Sequence, residues 1–263
     1  MRPYAAVVSA RFRALLQYRA AAFAGLVTQI FWGAVRLMIL EAFARSSVGG
    51  APMDAGQIAS YVWLGQALLA LFPWSLDGDV VQMVRSGAVA YELLRPMDLY
   101  WLWYARALAQ RTAPTVLRAA PLLLLAWAAM GLRPPSDAAH LTAFAISTLG
   151  ALVLSCAMSA LLSVSLIYTI SGEGVARLLP IAAYFLSGMV LPLPFMPTWA
   201  QRIADLAPFS GLVDHPHRLY TGHIPVEQAP LVLLHQVLWS AIIIVLGRWL
   251  MACGLRRMVV QGG

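Results

Sequence analysis

Residues 171–210 read SGEGVARLLPIAAYFLSGMVLPLPFMPTWAQRIADLAPFS, and the tract runs on through HRLYTGHI at 217–224. A charged turn rises into an apolar run, which breaks at Pro192, Pro194 and Pro197. Proline removes a backbone donor and bars the residue before it from helix, so three in close order end the run abruptly. A short amphipathic piece follows, with Trp199, Ile203 and Leu206 on one side and Gln201, Arg202 and Asp205 around it. Pro208, Phe209, Pro216 and Gly222 punctuate the exit before apolar sequence resumes near Gln228. The expected structure of 192–226 is a re-entrant or surface-lying hairpin at the outer end of a membrane span. Protein must shield it, because lipid cannot satisfy open backbone groups.

Composition makes a membrane the setting. The 263 residues are 61% hydrophobic and 11% charged, against about a quarter charged in a soluble domain. No polar stretch is long enough to bury a core of its own, so one transmembrane domain over 1–263 is expected. The basic N-terminal segment lacks the small-residue cleavage site of a signal peptide. All eighteen basic residues are arginine. Without lysine there is no P-loop and no Schiff base, so any ATP chemistry must come from a partner. The net charge of +7 reads as membrane topology and not as nucleic-acid binding. Cys156 and Cys253 lie in apolar runs and read as small buried hydrophobes.

Outward from the hairpin, residues 1–19 carry Tyr4, Val7, Val8, Phe12, Leu15 and Leu16 at helical spacing,. Arg11, Arg13, Gln17 and Arg19 lie on or beside the other face. Such a helix is expected in the headgroup plane with its arginines at anionic lipid. About 20 apolar residues cross a bilayer core, and six runs qualify: 20–44, 57–74, 112–132, 140–170, 174–191 and 228–250. The expected fold is an all-α integral membrane protein: an N-terminal interfacial helix, six transmembrane helices, and the outer hairpin between spans five and six. Residues 77–98, DGDVVQMVRSGAVAYELLRPMD, interrupt the apolar sequence. Asp77 or Asp79 suits the cap of a short helix, Arg85 its last turn and Gly87 its end. A second short element stops at Pro96. Residues 100–111, aromatic and basic, are expected at an interface. In span four, Ser147, Ala151, Ser155, Ser159 and Ser163 recur every four residues. That ridge suits close helix packing, or, through Ser155 and Ser159, the wall of a polar pathway.

Six spans put both termini on one side. Twelve arginines fall on that side and four on the other, with Arg36 and Arg118 inside spans. The excess places both termini in the cytoplasm, 77–98 with them, and the hairpin outside.

In this order and on these sides, the chain resembles a type-2 ABC transporter permease. The sharpest matches are GAVAYELLRP at 87–96, Ser187 with Gly188, Leu191 with Pro192, Pro197 with Trp199, LAPF at 206–209, and LYTG at 219–222. The resemblance covers essentially the whole chain. It implies two paired permease chains, the same or siblings, driven in the cytoplasmic (inner) membrane by a dimer of ABC ATPases that bind ATP and Mg. This chain itself would bind no cofactor. Efflux of an amphipathic, lipid-like or drug-like substrate is the implied activity. By match to the first tract, Glu92, Leu93, Leu94, Arg95, Pro96 and Asp98 would contact an ATPase. The turn 171–177, with Glu173 and Gly174, would be a second contact.

A charge inside a span is by default a functional hypothesis. Arg36 either snorkels outward or faces substrate, and Arg118 either snorkels to the inner interface or lines a lateral pathway. Glu41 and Arg45 are spaced for an i,i+4 pair. Asp214, His215 and His217, with His223 nearby, read as a polar outer loop; metal sites need three or four convergent ligands. Neither HExxH nor GxSxG occurs. The competing function is a membrane-embedded lipid-modifying enzyme, with Asp214, His215, His217 and Glu173 as its best candidates. A secondary transporter would need midplane carboxylates, and Glu41, near a span edge, is the one acid in a span.

Overall fold

Local rules set the helix starts in the computed structural model, which describes residues 2–47, 50–169 and 173–256. The helices are α1 (Arg2–Leu16), α2 (Arg19–Ser46), α3 (Ala55–Ala67), α4 (Gly78–Arg85), α5 (Val89–Leu93), α6 (Leu99–Ala129), α7 (Ala138–Ser165), α8 (Glu173–Leu186), α9 (Thr198–Leu206), α10 (Asp214–Tyr220) and α11 (Ala229–Leu255). Aspartate begins four of them. Asp54 forms a capping box with Gln57, while Asp77, Asp98 and Asp137 accept from the N–H groups of Asp79, Trp101 and His140. Such caps satisfy orphan donors in the first turn, each worth about 1 kcal/mol. Gly87, at φ +74°, stops α4 in the left-handed conformation that glycine favours,.

Among the described residues the chain is all-helical, and four segments are long and apolar enough to cross a membrane: Arg19–Ser46, Leu99–Ala129, Ala138–Ser165 and Val226–Leu255. The helices α3 and α8 have only 13 and 14 residues. The run expected as one span over 57–74 ends its α-helix at Ala67, turns once as a 3-10 helix at Leu69–Leu71, and opens before Pro73. Protein replaces lipid there. Eleven α3 residues are buried. The open carbonyls are met by Ser155 Oγ on Leu71, Trp74 Nε1 on Leu69 at 3.0 Å, and Arg111 Nη2 on Ser75 at 2.9 Å. Irregular backbone at membrane depth is tolerated only with such support.

A second correction concerns 100–111, expected as an interface segment ahead of a span. It is the first third of the continuous helix α6, which carries Pro114 and Pro121 inside it. Threonine hydroxyls flank the first proline: Thr112 donates to the Leu108 carbonyl and Thr115 to that of Arg111, both at 2.7 Å. Tyr100, Trp103 and Arg111 are buried.

At the centre stands α7, packed by α6, α10 and α11. Its ridge from Ser147 to Ser163 is buried throughout. Opposite, α11 buries Val232, Gln236, Ser240, Ile243, Gly247 and Met251, one stripe at helical period,. Gln236 Nε2 donates across the seam to Ser147 O at 2.9 Å and Gly211 O at 2.8 Å.

The molecule has two distinct ends. One gathers Val80, Val89, Leu99, Val164 and Met251, with Tyr4 and Val7 of α1 beside them. The other joins the start of α3, the turn after α6 and α10: Tyr220 donates to the Arg133 carbonyl at 3.0 Å and Gln57 to that of Thr221 at 3.3 Å. Residues 77–98 and the proline hairpin therefore lie at opposite ends.

Candidate functional site

The first end is built around two aspartates and two arginines. Arg11 Nη2 lies 2.7 Å from Asp77 Oδ1, and its Nη1 lies 2.9 Å from Asp79 Oδ2. Arg106 of α6 grips the same pair, with Nε 2.8 Å from Asp77 Oδ2 and Nη2 2.9 Å from Asp79 Oδ2. Asp77 is buried. The Arg11 guanidinium beside Asp79, with Arg106 in support, holds that carboxyl below its ordinary range. Arg11, expected to face lipid headgroups, is thus turned inward. The reason is geometric: the apolar stripe of α1 packs against α6, which brings Arg11 over the cap of α4. The Tyr4 hydroxyl accepts from the Asp98 N–H at 2.9 Å and ties the same strap further along.

This scaffold carries α4 and α5 and presents their far edge outward. Tyr91, Leu93 and Leu94 are exposed, Leu94 by 81%. Arg95 and Pro96 are exposed beside them, and Glu92 pairs with Arg95 at 3.3 Å. These apolar side chains are held out together at a charged end of the molecule. Asp98 differs: it caps α6 and lies 3.9 Å from Arg248. Gly174 is exposed in the first turn of α8. Residues 170–172 and the side chain of Glu173 lie outside what the structure describes.

At the other end, Pro192 precedes a 3-10 turn, Leu193–Phe195, that contains Pro194, and Pro197 precedes α9. The apolar side of α9, Trp199, Ile203 and Leu206, is exposed. Pro208 and Phe209 lead into a second turn at Ser210–Leu212, and Phe209 packs on the main core. The stretch expected as a polar loop, from Asp214 to His217, is instead the buried start of α10. Asp214 is the reason. Its Oδ1 accepts from the Tyr61 hydroxyl at 2.9 Å and the Leu193 N–H at 3.0 Å, and its Oδ2 faces Arg218 Nη1 at 3.1 Å. Gly188, at φ +83°, lets the Tyr61 hydroxyl approach; a Cβ there would stand 2.3 Å from that oxygen. His217 meets the Tyr61 ring edge-on at 5.1 Å, and His215 meets His235 in the same way at 5.1 Å. Among the described residues no three His, Cys, Asp or Glu side chains converge to hold a metal.

Inside the spans, Ser155 and Ser159 bond within the fold: Ser155 to the Leu71 carbonyl, Ser159 to the Ser155 carbonyl at 2.8 Å, with Arg111 Nη2 3.2 Å from Ser159 Oγ. Arg118 lies against α2, where a Cβ on Gly25 would stand 2.6 Å from its Cζ. Arg36 faces Met189 Sδ at 3.6 Å, and Glu41 pairs with Arg45 at 3.1 Å. The structure does not bring the two intramembrane arginines into one site. It reveals polar residues not singled out from sequence: Gln29, Tyr61, Arg106 and Gln236. The available signal was a lone amide in each of two apolar runs and the seven-residue step from Gln29 to Arg36.

The fold and the apolar helices describe a multi-pass helical membrane protein. Residues 54–262 match the family described as ABC-2 family transporter protein. The chain belongs to that family, whose members are the permeases of ABC transporters. No curated protein and no solved structure matches it significantly.

Proposed function

We propose that this permease is one half of the membrane channel of an ATP-driven exporter. In this reading it crosses the cytoplasmic membrane six times with both termini in the cytoplasm, α3 and α8 serving as short or broken spans. It pairs with a second permease chain, the same or a sibling. Two cytoplasmic ATPases carry ATP and Mg. The cargo is amphipathic, lipid-like or drug-like.

The observation that carries this reading is the exposed edge Tyr91–Leu94 on a base pinned by Arg11, Arg106, Asp77 and Asp79. An ATPase that grips Leu94 and moves on closing its nucleotide site would push α4 and α5. The ion pairs pass that push to α6 through Arg106 and to α1 through Arg11, so the lever need not bend. Purification of the permease with an ATPase encoded beside it tests the idea. Leu94→Glu should elute as folded complex or free permease but lose most permease-dependent ATP hydrolysis, and Leu93→Glu, also at an exposed side chain, should do the same. Hydrolysis unaffected by either change would count against the proposal.

A further inference from the structure

Between α2, α3 and α8 opens a cleft of about 360 Å³. Three polar residues of α2 stand in its lining, Thr28, Gln29 and Arg36; the Thr28 hydroxyl is met by the Ala24 carbonyl at 3.0 Å. Gln29 is only 3% exposed, yet among the described residues neither its Nε2 nor its Oε1 has a hydrogen-bond partner. Among the same residues Arg36 Nε and Nη2, also buried, have no partner, and Nη1 has only the Met189 sulfur. No carboxylate lies within ion-pair distance of Arg36 among the described residues. A buried amide and a buried guanidinium left unmet cost several kcal/mol between them. They are seven residues apart, two turns along one helix face and about 10 Å in height. Gly33 sits between them and lets α2 close on the Trp63 ring; a Cβ there would be 2.4 Å from Cζ3. The remaining lining joins Gln66 of α3, Leu69 and Met189 to an aromatic pair. Trp74 and Tyr184 meet at a tilt of 51° with centroids 5.0 Å apart, and Trp32 is exposed beside the cleft.

From this combination we infer that the cleft is the headgroup seat of an anionic amphiphile. Arg36 meets a phosphate or carboxylate, the Gln29 amide meets an ester or hydroxyl below it, and the apolar body lies along Trp32 toward the bilayer. Charge complementarity selects the anion: a cation without a carboxylate is the one buried charge in this cleft, and its partner must come from outside. The inference rests on the permease reading for the idea that the occupant is cargo. Two sources share this chemistry, an anionic phospholipid and a transported amphiphile.

Trp32 and Trp74 report occupancy locally. The purified permease, without its ATPase, is titrated in neutral maltoside micelles with brominated phosphatidylglycerol or brominated phosphatidylcholine, and tryptophan quenching is followed. The anionic lipid should quench at about tenfold lower mole fraction or less, the scale of one or two charge-assisted hydrogen bonds. Arg36→Gln should abolish that preference, Arg36→Lys should keep part of it, Gln29→Leu should weaken it, and Arg202→Gln, on exposed α9, should leave it intact. Removing an unpaired buried cation is not expected to harm folding, and a monodisperse elution profile checks this. Competition identifies the source. Dodecyl phosphate that displaces phosphatidylglycerol at tenfold lower mole fraction marks a cargo seat; the reverse order marks a lipid seat. Equal quenching by the two lipids, or a preference that survives Arg36→Gln in folded protein, overturns the inference. Since no ATPase is present, that failure would leave the transport reading standing, while unchanged hydrolysis in Leu94→Glu would do the opposite.

Discussion

At the scale of single residues, Asp214 shows what a buried carboxylate does in a membrane protein. It has no exposure and three donors, from α3, α10 and the turn after Pro192. An ionised group in that place is tolerable only when paired and hydrogen-bonded. Asp214→Ala leaves Arg218 without its carboxylate and Tyr61 with only the Gly188 carbonyl at 3.1 Å, and should destabilise the purified protein by about 3–5 kcal/mol. Tyr61→Phe removes the hydroxyl shared between Asp214 Oδ1 and the Gly188 carbonyl and should cost about 1 kcal/mol,. Thermal unfolding in detergent reads both. Equal midpoints for wild type and Asp214→Ala would mean that the hairpin is not anchored through this residue. Sequence alone made Asp214 part of a polar loop, because its partners are 153 residues away at Tyr61 and 21 away at Leu193. The one local clue was Arg218, four residues on.

At the scale of elements, α1 is tied to the rest of the fold as a strap. Its amphipathic spacing was legible, since period 3.6 needs only neighbouring residues. What its apolar face covers was not, because α6 and a lipid surface present the same chemistry to Val7, Phe12 and Leu15. The aspartates decide between them, and they stand 66 and 68 residues away from Arg11. The cap of α4, open between Asp77 and Asp79 in the sequence and held by Asp77 in the fold, and the stop at Gly87 needed only local rules. The same limit explains 57–74: its apolar content suited a span, while the break after Ala67 depends on Ser155 and Arg111 from two other helices. A pH dependence follows from the strap. The Asp79 carboxyl titrates below its unfolded value, so its contribution is complete above the ordinary carboxylate range and is lost as pH falls through the lowered value,. Spin labels on Ser9→Cys and Ser86→Cys, with both native cysteines replaced, measure the separation of α1 from α4. The distance distribution should stay narrow at neutral pH and broaden in acid, below the ordinary carboxylate range,. Asp79→Asn should broaden it already at neutral pH. A distribution that is the same throughout would show that the ion pairs do not hold the strap.

At the scale of the whole molecule, the order of elements places 77–98 with α1 and the end of α11, and the proline hairpin with the start of α3. That polarity was legible from the arginine distribution, because a bias in loop charge survives errors in the bounds of any one span. The number of crossings was less legible. Hydropathy registers apolar content, and α3, buried by its neighbours, is as apolar as a lipid-facing helix although it has 13 residues. Family membership, over 54–262, gives this polarity a functional meaning. In the proposed reading, the exposed apolar edge at the arginine-rich end is where the ATPase takes hold.

A photo-crosslinking side chain at position 94 tests that claim most directly, in membranes that hold the permease and the ATPase encoded beside it. The expected result is a single crosslinked product of permease and ATPase, whose yield changes when ATP is replaced by a non-hydrolysable analogue, while the same probe at Trp199 gives none. Crosslinks to lipid alone from position 94, or capture of the ATPase from position 199 instead, would contradict the claim.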